Sequence, residues 1–400
     1  MEHLIDKINI ESVSLIIFGI SFLISYLMIP KLIGVIRFKK LMDNPNERSS
    51  HIQETPTLAG IVFFVSLIIS IFFIHYFDTE DVSINIIAGL TILLIVGLKD
   101  DLVVLSANTK ILAQLITITF ILLNSDLHIV NFHGFLGITE VPFIVSIGFG
   151  YFCIIYIINA YNLMDGIDGL AALIGIMAFT IYALFFYNMG LNVYFLLSVS
   201  SIGYLVAFLR FNLSKSNKIF MGDTGSMIVG FLLGIMTLRF LTSDTVQFEE
   251  IGVLPVNALV ITMSILFFPV IDVLRVIIIR IINKKGAFTP DRRHLHHVFI
   301  DKGLSHRRAS FTIIVTSIIS FLIIYLANTF LSYIGLLIVF IFVSFFIFYL
   351  LMLLDTNSSA RIQRKKFKSY IPEKIYNREF RIRKSIIVFL KKVFYKNLIK

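Results

Sequence analysis

The sequence predicts an all-α, polytopic membrane protein with about eleven transmembrane helices, its N-terminus outside and its C-terminus cytoplasmic. Three observations carry that expectation. Hydrophobic residues make up 57% of the chain and charged residues 15%, and the mean hydropathy is +0.90; a soluble domain is about 45–50% apolar. Apolar runs of about 18–22 residues recur, each able to cross a hydrocarbon layer about 30 Å thick as a helix. Lys and Arg gather in alternate connecting segments, which orients the chain. Membrane β-strands would alternate in polarity over short segments, and runs such as Leu331 to Leu354 do not.

The first expected span, 13–33, follows a polar, net acidic stretch from Met1 to Ser12 and precedes no small-residue cleavage site, so it reads as a retained anchor. The others follow at 58–77, 83–98, 110–126, 142–160, 169–188, 191–211, 224–241, 253–278, 310–328 and 331–354. Basic residues concentrate in Arg37 to Arg48, Lys99 to Lys110, Arg210 to Lys218, Arg280 to Arg308 and the tail after Asp355, which are therefore cytoplasmic. The intervening segments carry Asp78, Glu80, Asp81, Asp126, Glu140, Asp244, Glu249 and Glu250, with Arg239 the basic exception near a helix end.

No transporter-like repeat or Pro/Gly-rich linker divides the chain, so 1–355 reads as one membrane domain and 356–400 as a basic cytoplasmic tail. That tail accounts for the chain's net positive charge of +10. Its interleaved basic and apolar residues fit either a solvated positive-inside tail or an interfacial helix on anionic lipid, rather than nucleic-acid binding. The single cysteine, Cys153, lies in a span and excludes a disulfide framework or a cysteine zinc site.

The polar residues of this charge-poor chain fall in four clusters, each at a cytoplasmic segment or helix end. Lys99, Asp100 and Asp101 close the third span, with Lys110 beyond them; adjacent carboxylates repel unless a cation neutralises them, which suits a metal site, a general base or a merely solvated pair. NAYNLMDGIDGL, from Asn159 to Leu170, repeats Asn159, Asn162 and Asp165 every three residues, along one face if the helix continues. An ordinary span would end in Lys, Arg, Trp or Tyr instead. FMGDTGSM places Asp223 where the eighth span begins; there it serves as a helix cap or brings a cation to an anionic ligand held by free backbone amides. PDRRHLHH sets Arg292, Arg293, His294, His296 and His297 within six positions. Histidines alone suggest zinc, but Arg beside His and no cysteine fit phosphate or hydroxyl recognition better.

Hard oxygen ligands, cations for phosphates and a surface between water and lipid describe phosphoryl transfer from a soluble donor to a membrane acceptor. A transporter would carry carboxylates near the bilayer midplane, and none is expected in the middle of a span.

In order and spacing, DNPNERSSH with TPTLAG, KDD with Lys110, NAYNLMDGIDGL, FMGDTGS and PDRRHLHH resemble the polyprenyl-phosphate N-acetylhexosamine-1-phosphate transferases. The resemblance runs from about Asp43 to His297 and does not cover the tail. PDRRHLHH looks like the form found in UDP-N-acetylglucosamine enzymes rather than in the muramyl-pentapeptide branch. The resemblance implies transfer of N-acetylhexosamine-1-phosphate from a UDP-sugar to undecaprenyl phosphate at the cytoplasmic side of the bacterial inner membrane, with release of UMP. A lipid-linked sugar flippase or another membrane phosphotransferase is the alternative.

Carried over by residue, it implies that Asp223 ligates Mg2+, or Mn2+ in its place, with Asn162 nearby. Asp100 or Asp101 acts on the lipid phosphate and Lys110 holds a phosphate. Asp168 with Gly166 and Ile167 matches the uracil-binding stretch, on which Phe220 stacks. Arg292, His294, His296 and His297 meet the sugar and diphosphate, and Asn159, Asp165 and Asn212 join the substrate-binding set. The partners implied are UDP-N-acetylhexosamine, undecaprenyl phosphate and membrane lipid, with a homodimer left open. Ala59 in TPTLAG departs from the glycine that many relatives carry there.

Overall fold

The computed structural model describes residues 9–43, 55–77, 82–283 and 294–353. Fourteen α-helices lie among them. Eight are long and apolar enough to cross a membrane: α1 (Ile10–Lys39), α2 (Ala59–Ile74, extended by a 3-10 turn), α3 (Val82–Leu102), α5 (Phe143–Met164), α6 (Leu170–Asn188), α7 (Asn192–Asn212), α8 (Gly222–Leu241) and α13 (His306–Ala327). The chain is thus a multi-pass membrane protein. The other expected spans fall on α4 (Ala107–Leu122), α10 (Ala258–Ile265), α11 (Phe267–Ile282) and α14 (Tyr333–Leu353). Two small helices, α9 (Thr245–Glu250) and α12 (Leu295–Asp301), complete the set.

Two expectations need correction. The ninth span, 253–278, is not one helix but α10 and α11, broken at Leu266 (φ −98°, ψ 34°). Pro269 explains the break, because it has no N–H for the Ile265 carbonyl and its ring crowds that carbonyl; it is tolerated in the first turn of a new helix. The all-α class also needs qualification. Met42–Asp43 pairs antiparallel with Thr55–Pro56, and Asn131–Phe135 with Ile138–Glu140. The second pair turns through Gly134 and Gly137 at φ 85° and 78°, conformations glycine reaches without steric penalty.

At the centre stands α8, buried from Thr224 to Leu241 except at Arg239. Its glycines let neighbours approach: a Cβ on Gly230 would stand 2.7 Å from the Ile158 Cα of α5, and one on Gly234 3.0 Å from the Ile154 side chain. Without a hydrophobic force between lipid-embedded helices, such close packing is what holds them together. On the other side, a Cβ on Gly60 of α2 would lie 2.4 Å from the Gly225 nitrogen, and one on Gly97 of α3 would lie 2.5 Å from the Thr224 Cα. Those two contacts bring the ends of α2 and α3 onto the first turn of α8. The segment before α2 adds backbone bonds, from Phe220 N–H to the Pro56 carbonyl (2.8 Å) and from Gly60 N–H to the Met221 carbonyl (3.2 Å). Ala59 is fully buried in this junction, so a side chain is accommodated there.

Candidate active site

The close packing at the start of α8 sets the KDD sequence against GDTGS. Asp101 accepts hydrogen bonds from Asp223 N–H (2.7 Å), Thr224 N–H (3.2 Å) and the Thr224 hydroxyl (2.6 Å). It therefore satisfies backbone amides that the first turn of α8 leaves open. Asp100 turns the other way, accepting Leu105 N–H at 2.7 Å and pairing with the Lys110 ammonium. Lys110 also reaches Asp223 Oδ2 at 2.6 Å, so it stands between two carboxylates. Asn162, at the end of α5, donates to Asp223 Oδ1 (3.0 Å) and to the Ser226 hydroxyl (2.7 Å). The structure thus brings Asp100, Asp101, Lys110, Asn162 and Asp223 together from four helices.

Asp165 caps α5 beside this group. Burial, and then the Asp223, Asp101 and Asp168 carboxylates, push its carboxyl well above the ordinary range. The surroundings are short of positive charge. Among the described residues no three His, Cys, Asp or Glu side chains stand at metal-ligating spacing; the Lys110 ammonium bridges Asp100 and Asp223.

A second strip lies between α5 and α6. Asp168 Oδ2 pairs with Lys218 Nζ at 2.7 Å, and Oδ1 lies 3.5 Å from His306 Nδ1. Burial raises its pKa, but the His306 and Lys218 contacts outweigh burial and hold it below the ordinary value. Lys218 also stands 5.1 Å from the Phe220 ring centroid. The Ser310 hydroxyl donates to the Asp168 carbonyl (2.8 Å), tying α13 to this turn. Gly169 continues it at φ 81°. Ile167 is buried beneath the strip.

Two of the expected substrate-binding residues hydrogen-bond within the protein. Asn212 accepts Gly169 N–H (2.6 Å) and donates to the Ile219 carbonyl (2.9 Å), joining the two site loops. Asn159 donates to Gln114 (2.9 Å) and to its own helix at Ile155 (2.8 Å).

The histidines close the far side. The His296 ring packs on Gly166, where a Cβ would fall 2.5 Å from Nε2. Burial, and then neighbouring His297, push His296 down to about 3, so its ring is neutral at physiological pH. His294 stacks on His296 with centroids 5.9 Å apart, and His297 lies 4.2 Å from His296. Arg292 and the DNPNERSSH segment beyond Asp43 lie outside the described residues, as does the basic tail.

Lys218, His306 and Asp272 were not singled out by the sequence. Asp272 lies in α11 within the expected span 253–278, nearer its end than its middle, is 1% exposed, and stands 2.7 Å from His294 Nδ1. An ionisable residue inside an apolar run was the available signal. For Lys218 the signal was its place two positions before Phe220; for His306 there was none short of the fold.

The glycosyl transferase family 4 model matches residues 83–241, a stretch that holds the first three clusters. The chain is similar to a Bacillus subtilis protein named "Probable undecaprenyl-phosphate N-acetylglucosaminyl 1-phosphate transferase", 31% identical over 71% of this chain and 77% of the relative. It is similar to the Mycobacterium leprae decaprenyl-phosphate N-acetylglucosaminephosphotransferase, 30% identical over 69% and 74%. The phospho-N-acetylmuramoyl-pentapeptide-transferase of Staphylococcus epidermidis is 31% identical over 55% of this chain and 74% of the relative. On identity sustained across more than two thirds of both chains in the first two pairs, with the acidic clusters gathered at one end of the bundle, the protein belongs to glycosyl transferase family 4, the polyprenyl-phosphate N-acetylhexosamine-1-phosphate transferases.

Proposed function

We propose that the protein transfers N-acetylglucosamine-1-phosphate from UDP-N-acetylglucosamine to undecaprenyl phosphate at the cytoplasmic face of the bacterial inner membrane. The observation that carries this is the convergence of Asp100, Asp101, Lys110, Asn162 and Asp223 beside the Asp168, Lys218 and Phe220 strip. The first set, with a divalent cation among its carboxylates, would suit phosphates; the second suits a nucleoside.

A lipid phosphate oxygen attacks the β-phosphorus of the donor, the bond from that phosphorus to the bridging oxygen breaks, and UMP leaves with the electron pair. Lys110 holds phosphate charge, and Asp168 accepts from the uracil while Phe220 offers its ring. We favour a single displacement over an aspartyl-phosphate. Both Asp101 oxygens are occupied by backbone and hydroxyl donors, and Asp100 is held by Lys110 and Leu105, which leaves neither poised as a nucleophile.

The oxygen donors of Asp223 and Asn162, beside carboxylates that outnumber the nearby ammonium, fit a hard divalent cation such as Mg2+, with Mn2+ as a substitute. Bound there, it would supply positive charge against the donor diphosphate.

Membranes carrying the protein, given undecaprenyl phosphate and a panel of UDP-sugars, are expected to form a sugar-linked lipid and UMP with UDP-N-acetylglucosamine. Chelator is expected to stop the reaction and added Mg2+ or Mn2+ to restore it. Full turnover in chelator would remove the metal from this account, and no lipid product with any donor would remove the enzyme.

Orientation is tested separately. In a Cys153→Ser background, Lys215→Cys and Glu249→Cys place thiols at two exposed positions. The charge pattern places the first in the cytoplasm and the second outside. An impermeant thiol reagent applied to intact cells is expected to label only Glu249→Cys; labelling of both positions would refute the proposed topology.

A further inference from the structure

Asp272 is buried in α11 one helical turn after Pro269, and it has two partners at the entrance to α12. Its Oδ2 stands 2.7 Å from His294 Nδ1, and its Oδ1 accepts Leu295 N–H at 2.7 Å. The Arg275 guanidinium approaches Oδ1 at 3.9 Å. An ionised carboxylate only accepts hydrogen bonds, so the His294 nitrogen facing it must carry the proton.

That leaves Nε2 as the variable edge of the ring. It is buried and has no hydrogen-bond partner among the described residues, an arrangement that costs stability unless a ligand completes it. The ring is not free to turn away. It is stacked on His296, which is itself seated against Gly166 in the NAYNLMDGIDGL turn.

We propose that Asp272 is a positioning residue for the donor sugar: it fixes His294 as the Nδ1–H tautomer so that Nε2 accepts a hydrogen bond from a sugar hydroxyl or the acetamido N–H. The inference rests on the transferase reading and adds a residue and a polarity to it. Asp272 itself touches no substrate. Its Oδ1 anchors the start of α12 through Leu295, and its effect on the sugar passes through one ring nitrogen of His294.

The test uses the full chain purified in lipid nanodiscs. Asp272→Asn keeps the volume and can still accept from Leu295 N–H, but its amide presents a donor to His294 Nδ1 and so favours the opposite tautomer. Asp272→Asn and His294→Ala are each expected to lower kcat/KM for UDP-N-acetylglucosamine by on the order of tenfold or more, with UMP inhibition changed by less than about twofold. The double variant is expected to be no worse than the poorer single variant, since both remove one interaction. Losses that multiply, or an Asp272→Asn enzyme with unchanged kcat/KM, overturn the proposal.

A second readout needs neither turnover nor a folded Asp272 variant. In histidine-15N-labelled wild-type protein, with His294→Gln used to assign the signal, His294 is expected to show a protonated Nδ1 and an unprotonated Nε2. The reverse tautomer overturns the proposal even if the enzyme transfers the sugar as described. A wild-type protein that makes no lipid-linked sugar but shows the expected tautomer removes the transferase reading, and with it the sugar as the partner of Nε2.

Discussion

Replacing Asp223 with asparagine is expected to lower turnover of UDP-N-acetylglucosamine by about a hundred- to a thousandfold while the protein stays folded. Asp223 is the meeting point of the acidic cluster: Lys110 binds one oxygen at 2.6 Å and Asn162 the other at 3.0 Å. An asparagine keeps the shape of the side chain and can keep one acceptor. It turns an amide toward either the Lys110 ammonium or the Asn162 amide, so one of the two contacts becomes donor against donor. It also removes the charged oxygen that a hard cation requires, so saturating Mg2+ should not restore the rate. The measurement is UMP release against metal concentration, with exposed Asp244→Asn as the control. Turnover within about tenfold of the wild type would show that Asp223 is not at the reacting phosphates.

Gly222→Ala is expected to cost nearly as much activity without touching a charge. Gly222 has φ 74°, a left-handed conformation that costs other residues about 1–2 kcal/mol. Its added Cβ would also lie 2.7 Å from one Asp101 oxygen and 2.8 Å from the other. Those oxygens are already committed to Asp223 N–H and to the Thr224 hydroxyl, so Asp101 cannot yield without releasing the first turn of α8. Turnover is expected to fall by roughly a hundredfold, since a small displacement of positioned groups has that effect. Gly190→Ala, also at positive φ but in open space, is the matched control for backbone strain alone. Similar losses of rate in the two variants would show that the crowding of Asp101 is unimportant.

The long helices and the clusters were legible in the sequence because both are local patterns. An apolar run of membrane length has one stable solution in lipid, with its backbone bonded internally, and Asp100, Asn162 and Asp223 stood out against so few other polar residues. Three things were not legible. Asp272 and His294 lie 22 positions apart, across segments of opposite character, and only the fold makes them neighbours. The break at Leu266 was signalled by Pro269 but masked by the unbroken apolar run around it. The separate tasks of the adjacent carboxylates were hidden too: Asp101 bonds the start of α8 while Asp100 faces Lys110, a division that composition and spacing do not encode.

The tie from Asp168 to His306 and Ser310 spans 142 residues between Asp168 and Ser310. Its consequence concerns synthesis. A nascent chain that has emerged only as far as α11 already contains Asp100, Lys110, Asn162, Asp168 and Asp223, yet the turn carrying Asp168 lacks two of its fastenings, and Asp272 still waits for His294. These turns therefore gain their full set of contacts only when α12 and α13 have been made. A ribosome-bound intermediate that ends at α11 would hold the Asp100, Asp101 and Asp223 cluster without the contacts from His294, His306 and Ser310.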